Sequence, residues 1–138
     1  MRKIIKNGIL VTADETYHAD VLIEGEKILA IGHGFSEADT EVVYADGCYV
    51  LPGGVDVHTH LDLPMAGTVS SDDHYTGHKA AAFGGTTTVL DFISQDVDPL
   101  IENVTSWREK VQTKAAVDYS FHMNISRFDG GVARNLAL

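Results

Sequence analysis

Residues 51–60 read LPGGVDVHTH, and this stretch decides the fold of the chain. Residues 52–54 interrupt a series of short strand patterns, and residues 55–60 form a new strand with β-branched side chains at alternate positions. His58 and His60 end that strand. Because residues two apart in a strand point to the same face, the spacing predicts two imidazoles that bind one metal ion together.

Strand and helix patterns alternate after residue 60, which predicts a parallel α/β fold. A His-x-His pair also arises by chance, but its place at the C-terminal end of a strand in such a fold favours a metal site. The predicted elements are a strand at 55–60, a helix from 71–73 to Gly84-Gly85, a strand at 86–92, a helix with Asp98 as N-cap and Pro99 in its first turn, and a strand at 117–122. The buried stripe of the second helix is predicted at Ile101, Val104 and Val111, with Trp107 beside it.

The first half of the chain consists of short strands separated by turn signals. Three hairpins are predicted at Asn7-Gly8, Gly25-Glu26 and Asp46-Gly47, which together indicate a small antiparallel β unit. The predicted domains are a small β-sandwich-like unit at 1–51 and an α/β part at 52–138.

Composition excludes several classes of protein. The 138 residues carry a net charge of −10, which disfavours nucleic acid and anionic membrane as partners. No stretch has the length of a membrane span or the pattern of a signal peptide. The single cysteine, Cys48, is expected to be a small buried residue, and its lack of a disulfide partner favours a cytoplasmic setting.

The region around the histidines resembles the hydantoinase and dihydropyrimidinase branch of the amidohydrolase superfamily. The similar stretches are LPGGVDVHTHLDLP at 51–64, GTVSSDD at 67–73 and KAAAFGGTT at 79–87, and the resemblance runs from about residue 3 to about residue 128. It implies a metal-dependent (β/α)8 (TIM) barrel preceded by a small β unit. This chain supplies three strands and two helices of that barrel, so the barrel is expected to be incomplete.

The resemblance also implies an activity, namely hydrolysis of a hydantoin or dihydropyrimidine ring to an N-carbamoyl amino acid. Two zinc ions would share a bridging hydroxide and a carboxylated lysine, and that lysine is absent from this chain. His58 and His60 would bind the more buried metal, and none of the family's catalytic residues lies in these 138 residues. The chain by itself is therefore expected to be inactive.

Four further residues are expected near the substrate or the metal, three of them through the resemblance and Asp91 through its position. Leu63 and Met65 match a loop that lines the pocket beside the exocyclic group of the substrate. Asp62 stands where allantoinases and dihydroorotases usually carry arginine, and its charge would favour an uncharged ring. Asp91 ends the second strand and is expected to orient a metal ligand, with a structural hydrogen bond as the alternative.

Other histidines are assigned no direct role in catalysis. His122 ends the third strand and is expected to pack beside the site without binding metal. His74 and His78 lie one helical turn apart and are expected to be exposed on the outer face of their helix. Asp72 and Asp73 are explained by helix capping.

Two alternative functions are compatible with the sequence, and two further expectations concern assembly and the end of the chain. The alternatives are a non-catalytic dihydropyrimidinase-like assembly protein and another cyclic amidohydrolase, an allantoinase or a dihydroorotase. The family commonly forms tetramers, so a homo-oligomer is expected of the complete protein. The glycines at 130–131 and the short tail suggest a truncated or frame-shifted product that aggregates through an unpaired sheet edge.

Overall fold

The structure is a computed structural model that describes residues 1–97 and 99–136. The chain divides into two compact units, Met1–Pro52 and Gly53–Leu138. No helix within the described ranges is long and apolar enough to cross a membrane.

The first unit contains one five-stranded mixed sheet. Its strands are β1 Arg2–Val11, β2 Thr16–Glu24, β3 Lys27–Gly32, β4 Thr40–Tyr44 and β5 Tyr49–Val50. They lie in the order β3-β2-β1-β4, and β5 also pairs with β1. β1 and β3 run antiparallel to β2, whereas β4 and β5 run parallel to β1, so the predicted antiparallel unit is wrong. Leu10, Ala19 and Val21 form the buried core of this sheet.

Only one of the three predicted hairpins is confirmed. Gly25, with a φ of 61°, connects β2 to β3 in an antiparallel pair as expected. The sequence Asn7-Gly8 lies instead inside the continuous strand β1, where Asn7 has a φ of 62° and the register with β2 shifts. An Asn-Gly pair supplies the positive φ that both a tight turn and a bulge need, so the sequence signal does not separate them.

The third predicted hairpin is a turn between two strands that do not pair with each other. Cys48 N–H donates to the carbonyl of Ala45 across this turn, and β4 and β5 both continue along β1. The predicted burial of Cys48 is also wrong, because the side chain is exposed and Ala45 is the buried residue of the turn.

The second unit is a parallel α/β arrangement, which confirms the predicted alternation. Its elements are β6 Gly54–Thr59, β7 Pro64–Met65, β8 Thr68–Val69, α1 His74–Phe83, β9 Thr86–Ser94, α2 Leu100–Gln112, β10 Asp118–Asn124 and α3 Gly130–Leu136. The sheet has the order β10-β9-β6 with every pair parallel, and β7 and β8 form a separate short hairpin. The described strands do not close into a barrel.

Helix α1 begins and ends where its capping residues predict. Asp73 is the N-cap, and its side chain accepts the N–H of Thr76 at 2.8 Å while the Thr76 hydroxyl lies 3.1 Å from the Asp73 N–H. Gly84 caps the C-terminus, and Gly85 takes the left-handed conformation with a φ of 81°. This helix connects β6 to β9 and so positions the turn after the two histidines.

Helix α2 differs from its prediction at its first turn. It begins at Leu100 with Pro99 in the N-cap position, while the predicted cap Asp98 lies outside the described residues. Val111 is buried as expected, but Ile101 is 62% exposed. The buried positions of the first turn are Leu100 and Asn103.

Candidate metal centre

His58 and His60 converge at the C-terminal end of β6. Their Nε2 atoms are 3.2 Å apart, and the two rings are nearly perpendicular. Two imidazole nitrogens bound to one tetrahedral zinc at ordinary Zn–N distances are separated by about 3.3 Å. The observed separation therefore fits a single metal ion held by both Nε2 atoms.

Hydrogen bonds on both sides of this strand fix the backbone that carries the two rings. The N–H of His58 donates to Oδ1 of Asp56 at 3.1 Å. Thr59 points to the opposite face, where its hydroxyl donates to the carbonyl of Leu90 at 3.1 Å. The strand end is thus joined to β9, and the imidazoles project from a supported backbone.

The ring of Phe92 packs against the rings of the histidines. Its ring centroid is 4.5 Å from that of His58, 5.4 Å from that of His60 and 4.9 Å from that of His122. His122 Nε2 lies 3.1 Å from the carbonyl of Val57. Because a carbonyl only accepts, this nitrogen carries the proton, and His122 packs against β6 through a backbone hydrogen bond.

The two histidines supply only part of a zinc coordination shell. Across residues 1–97 and 99–136 no group of three or more His, Cys, Asp or Glu side chains is arranged to hold a metal. Catalytic zinc usually takes three protein ligands and one water. The donor set of the described residues therefore fits at most two positions of a zinc coordination shell.

Asp91 is buried on β9, the strand that pairs with β6. Its Oδ2 accepts the N–H of Leu61 at 3.0 Å, and its Oδ1 accepts the N–H of Phe92 at 2.7 Å. Burial raises the pKa of this carboxyl, and the two backbone hydrogen bonds oppose that shift. Leu61 follows His60 directly, so Asp91 fixes the point at which the chain leaves the site.

Asp62 is not a free charge facing a substrate. Its Oδ2 accepts from Nζ of Lys114 at 3.0 Å and from the N–H of His74 at 3.2 Å, and Lys110 Nζ lies 3.9 Å from Oδ1. Burial alone would raise the pKa of Asp62, but these partners outweigh it and hold the pKa below its usual value. The expectation that its charge selects an uncharged ring therefore loses its physical basis.

The prediction that His74 and His78 are exposed is wrong. They are 1% and 0% exposed, and their rings are perpendicular with centroids 5.6 Å apart. The Nδ1 atom of His78 accepts the N–H of Ala116, while His78 Nε2 and both ring nitrogens of His74 have no hydrogen-bond partner within the described structure. Burial lowers the pKa of His74 to about 4 and also lowers that of His78.

The helical spacing of residues in α1 indicates which of them share a face. The inward positions of the helix, including His74, Gly77 and His78, recur at the spacing of one helical face. Lys79 and Tyr75 lie on the other side and are exposed. The spacing marks a face, but the packing of Trp107 from α2 against His74, at 5.8 Å between ring centroids, makes that face the inner one.

The two predicted pocket residues lie in different surroundings. Leu63 is half-buried, with its N–H bonded to Oγ of Ser70 at 2.9 Å, whereas Met65 is 58% exposed on β7. Leu63 lines a cavity of about 270 Å³ near the C-terminal end of β9. The residues lining this cavity are Leu63, Pro64, Ser94, Asp96, Ser106, Trp107 and Lys110.

Comparison with known proteins gives close sequence relatives. The chain is 49% identical over 137 residues to a D-hydantoinase of Geobacillus stearothermophilus, an alignment that covers 99% of this chain and 29% of the relative. It is 45% identical over 131 residues to a D-hydantoinase of Streptomyces coelicolor, covering 91% of this chain and 28% of the relative. No protein-family model matches the chain.

Solved structures agree with the sequence comparison. The dihydropyrimidinase of Brevibacillus agri NCHU1002 is similar with a TM-score of 0.94 and 50% identity, covering 99% of this chain and 30% of that one. The resemblance carried by residues 51–64, 67–73 and 79–87 is therefore confirmed. The chain spans only about three tenths of the length of these relatives.

Proposed function

We propose that this chain, a homologue of the D-hydantoinases and dihydropyrimidinases, supplies the first metal-binding strand of a cyclic amidohydrolase. The observation that carries the proposal is the 3.2 Å separation of the Nε2 atoms of His58 and His60 at the C-terminal end of a parallel strand. In a (β/α)8 barrel that end of the strands carries the active site. The proposal therefore includes β6, β9 and β10 as the first three barrel strands, preceded by the β unit at 1–51.

The proposed reaction opens a hydantoin or dihydropyrimidine ring to an N-carbamoyl amino acid. Water adds to a ring carbonyl, the bond from that carbon to the ring nitrogen breaks, and a proton passes to the leaving nitrogen. A divalent metal held by His58 and His60, zinc in this proposal, would supply a water of lowered pKa and would polarise the carbonyl. The remaining ligands and the proton-transferring group would come from residues beyond these 138.

In this proposal, the residues of this chain bind the metal and position the backbone beside its ligands. His58 and His60 would hold the metal through Nε2, and Phe92 supports both rings from below. Asp91 holds the N–H of Leu61 and so fixes the chain next to His60. Leu63, at the edge of the cavity of about 270 Å³, would contact the ring substituent of the substrate, and the exposed Met65 would follow it.

Metal binding by the 138-residue chain tests the site without requiring activity. Cobalt(II) is titrated into the chain near neutral pH, and the visible absorption and the dissociation constant are recorded. We expect His58→Ala and His60→Ala each to weaken binding about tenfold or more, because each removes one of two ligands. His33→Ala, at an exposed site in the other unit, is the matched control. Equal affinities for the wild type and the double variant at 58 and 60 would overturn the proposal.

A chimera tests the reaction itself. The 137 aligned residues of the Geobacillus D-hydantoinase are replaced by the matching residues of this chain, and ring opening of hydantoin and dihydrouracil is followed by the release of the N-carbamoyl product. We expect activity in the chimera and its loss in the same chimera with His58→Ala. A folded, metal-loaded chimera that opens neither ring would contradict the proposed role of this chain.

The two alternatives predict different outcomes of these experiments. A non-catalytic assembly protein would bind full-length relatives without needing either histidine. An allantoinase or dihydroorotase would favour allantoin or dihydroorotate over hydantoin in a substrate panel. Since Asp62 is paired with Lys114, its charge does not decide between these substrates. A cytoplasmic homo-oligomer remains the expected form of the complete enzyme.

A further inference from the structure

His74 lies between the two carboxylates that hold the turn following β6. Its backbone N–H donates to Oδ2 of Asp62 at 3.2 Å, and its ring Nε2 lies 3.8 Å from Oδ2 of Asp91. The same Asp91 oxygen accepts the N–H of Leu61, the residue after His60. His74 therefore adjoins both carboxylates that hold this turn, Asp62 through its backbone N–H and Asp91 through its ring.

The surroundings of the His74 ring favour its neutral form. It is 1% exposed, it stands perpendicular to the rings of His78 and Trp107, and neither ring nitrogen has a hydrogen-bond partner among the described residues. A proton on this buried ring is unfavourable because the nearest carboxylate oxygen, Oδ2 of Asp91, lies 3.8 Å away and is beyond hydrogen-bond distance. The charged and titratable groups that face this pair of histidines are Asp62, Asp73, Asp91, Lys110, Lys114 and Tyr119.

We propose that His74 is a positioning residue for the turn after the metal-binding strand, and that it holds this turn in place only while its ring is neutral. A proton on Nε2 would make that atom a charged donor, and Oδ2 of Asp91 is a carboxylate oxygen only 3.8 Å away. A hydrogen bond between them would compete with the N–H of Leu61 for the same oxygen. Leu61 would then shift, and His60 with it. The consequence for metal binding rests on the proposed function, but the movement of the turn does not.

The direction of the titration agrees with this geometry. Burial lowers the pKa of His74 from its usual value of 6.5 to about 4, and burial likewise lowers that of His78. Acidification therefore protonates an imidazole whose buried surroundings disfavour the charged form. We expect the turn to move at a pH below the usual pKa of histidine.

Trp107 provides a direct readout of this step. It is the single tryptophan of the chain, and its ring centroid is 5.8 Å from that of His74. A protonated imidazole quenches indole emission at such a distance. We expect the metal-free 138-residue chain, kept in chelator, to lose Trp107 fluorescence in a step centred near the His74 pKa of about 4. We expect His74→Phe, which keeps an aromatic ring but cannot titrate, to abolish this step, while His33→Phe retains it.

A second measurement covers the case in which His74→Phe does not fold. Nuclear magnetic resonance of the wild-type chain would follow the imidazole carbons of His74 and the amide of Leu61 through the same pH series. We expect both signals to move with one shared midpoint near the His74 pKa of about 4. An amide of Leu61 that stays fixed while His74 titrates would overturn the proposal, as would an unchanged fluorescence step in His74→Phe. Since no metal is present, a failure of cobalt binding at His58 and His60 leaves this result unaffected.

Discussion

The Nε2 atom of His74 lies 3.8 Å from Oδ2 of Asp91, and that carboxylate oxygen also accepts the backbone N–H of Leu61. One residue of α1 and one of β9 thus meet at the oxygen that holds the backbone N–H directly after His60. A change at Asp91 should therefore affect the candidate metal centre through Leu61.

Removing the carboxylate of Asp91 should destabilise the second unit. Asp91→Ala leaves the buried N–H of Leu61 without its acceptor, which costs about 1–3 kcal/mol, and also removes the acceptor of the part-buried Phe92 N–H. Asp91→Asn keeps one oxygen acceptor and should lose less. Urea unfolding followed by circular dichroism measures the difference, with the exposed Asp118→Asn as control. Identical unfolding midpoints for the wild type and Asp91→Ala would refute the role of the carboxylate.

Acid should weaken the fold through His74 before it affects the surface carboxylates. The folded pKa of about 4 is below the unfolded value of 6.5, so the unfolded chain binds more protons in this range. The stability contribution is complete above pH 6.5 and is lost as the pH falls towards 4; the difference corresponds to roughly 3 kcal/mol. Asp62 and Asp73, whose pKa values are lowered, lose their contributions only below 3.8.

Melting temperatures measured from pH 8 down to pH 4.5 check this expectation. The wild-type chain should lose stability steadily below 6.5, and His74→Phe should show a flatter profile. His18→Phe, at an exposed position, should follow the wild type. A variant profile as steep as that of the wild type would show that other groups cause the pH dependence.

Gly77 and Leu61 should behave as an energetically coupled pair. A Cβ at Gly77 would lie 2.4 Å from Cδ2 of Leu61, a buried side chain. Gly77→Ala gains about 1 kcal/mol of helix propensity, but overpacking costs about 1–3 kcal/mol, so the net change should be a loss. In the Leu61→Ala background the same replacement should stabilise the chain. Additive effects in this double-mutant cycle would argue against the contact.

Lys114 should stabilise the start of α1 in a manner that depends on salt. Its Nζ is 3.0 Å from Oδ2 of Asp62 and 3.2 Å from Oδ2 of Asp73, the N-cap. Hydrogen bonds to both carboxylates raise the pKa of Lys114. Lys114→Met should lower the melting temperature at low ionic strength, and this difference should shrink as salt screens the wild-type pairs. Lys27→Met, on an exposed strand end, is the control, and a salt-independent difference would contradict the ionic origin.

Local signals in the sequence predicted the parts of the fold that depend on local chemistry. Asp73 and Gly84 bound α1 because a capping carboxylate and a flexible glycine satisfy the free backbone groups at a helix end. His58 and His60 share a face because a strand repeats every two residues. These features need no information from distant residues.

Features set by distant residues were not predicted in the same way. His74 is buried between Asp91 of β9 and Trp107 of α2, and nothing within α1 specifies these neighbours. The carboxylate of Asp62 is paired with the ammonium group of Lys114, which lies 52 residues later in the chain. Asn7-Gly8 has the composition of a turn, but pairing of β1 with β2 on both sides makes it a bulge. Each error reflects tertiary contacts that override a local preference.

The bulge at Asn7 also contains a site at which the protein can slowly deamidate. Asn7 precedes glycine, the arrangement in which a side-chain amide is most readily attacked by the next backbone nitrogen, and asparagine is among the thermolabile residues. Its Nδ2 donates to Oδ1 of Asp46 at 2.9 Å, and its N–H donates to Oδ1 of the buried Asp20. Deamidation would turn that donor into a third carboxylate beside two others. Aged samples should therefore separate into a more acidic species whose first sheet is weakened at the centre of β1.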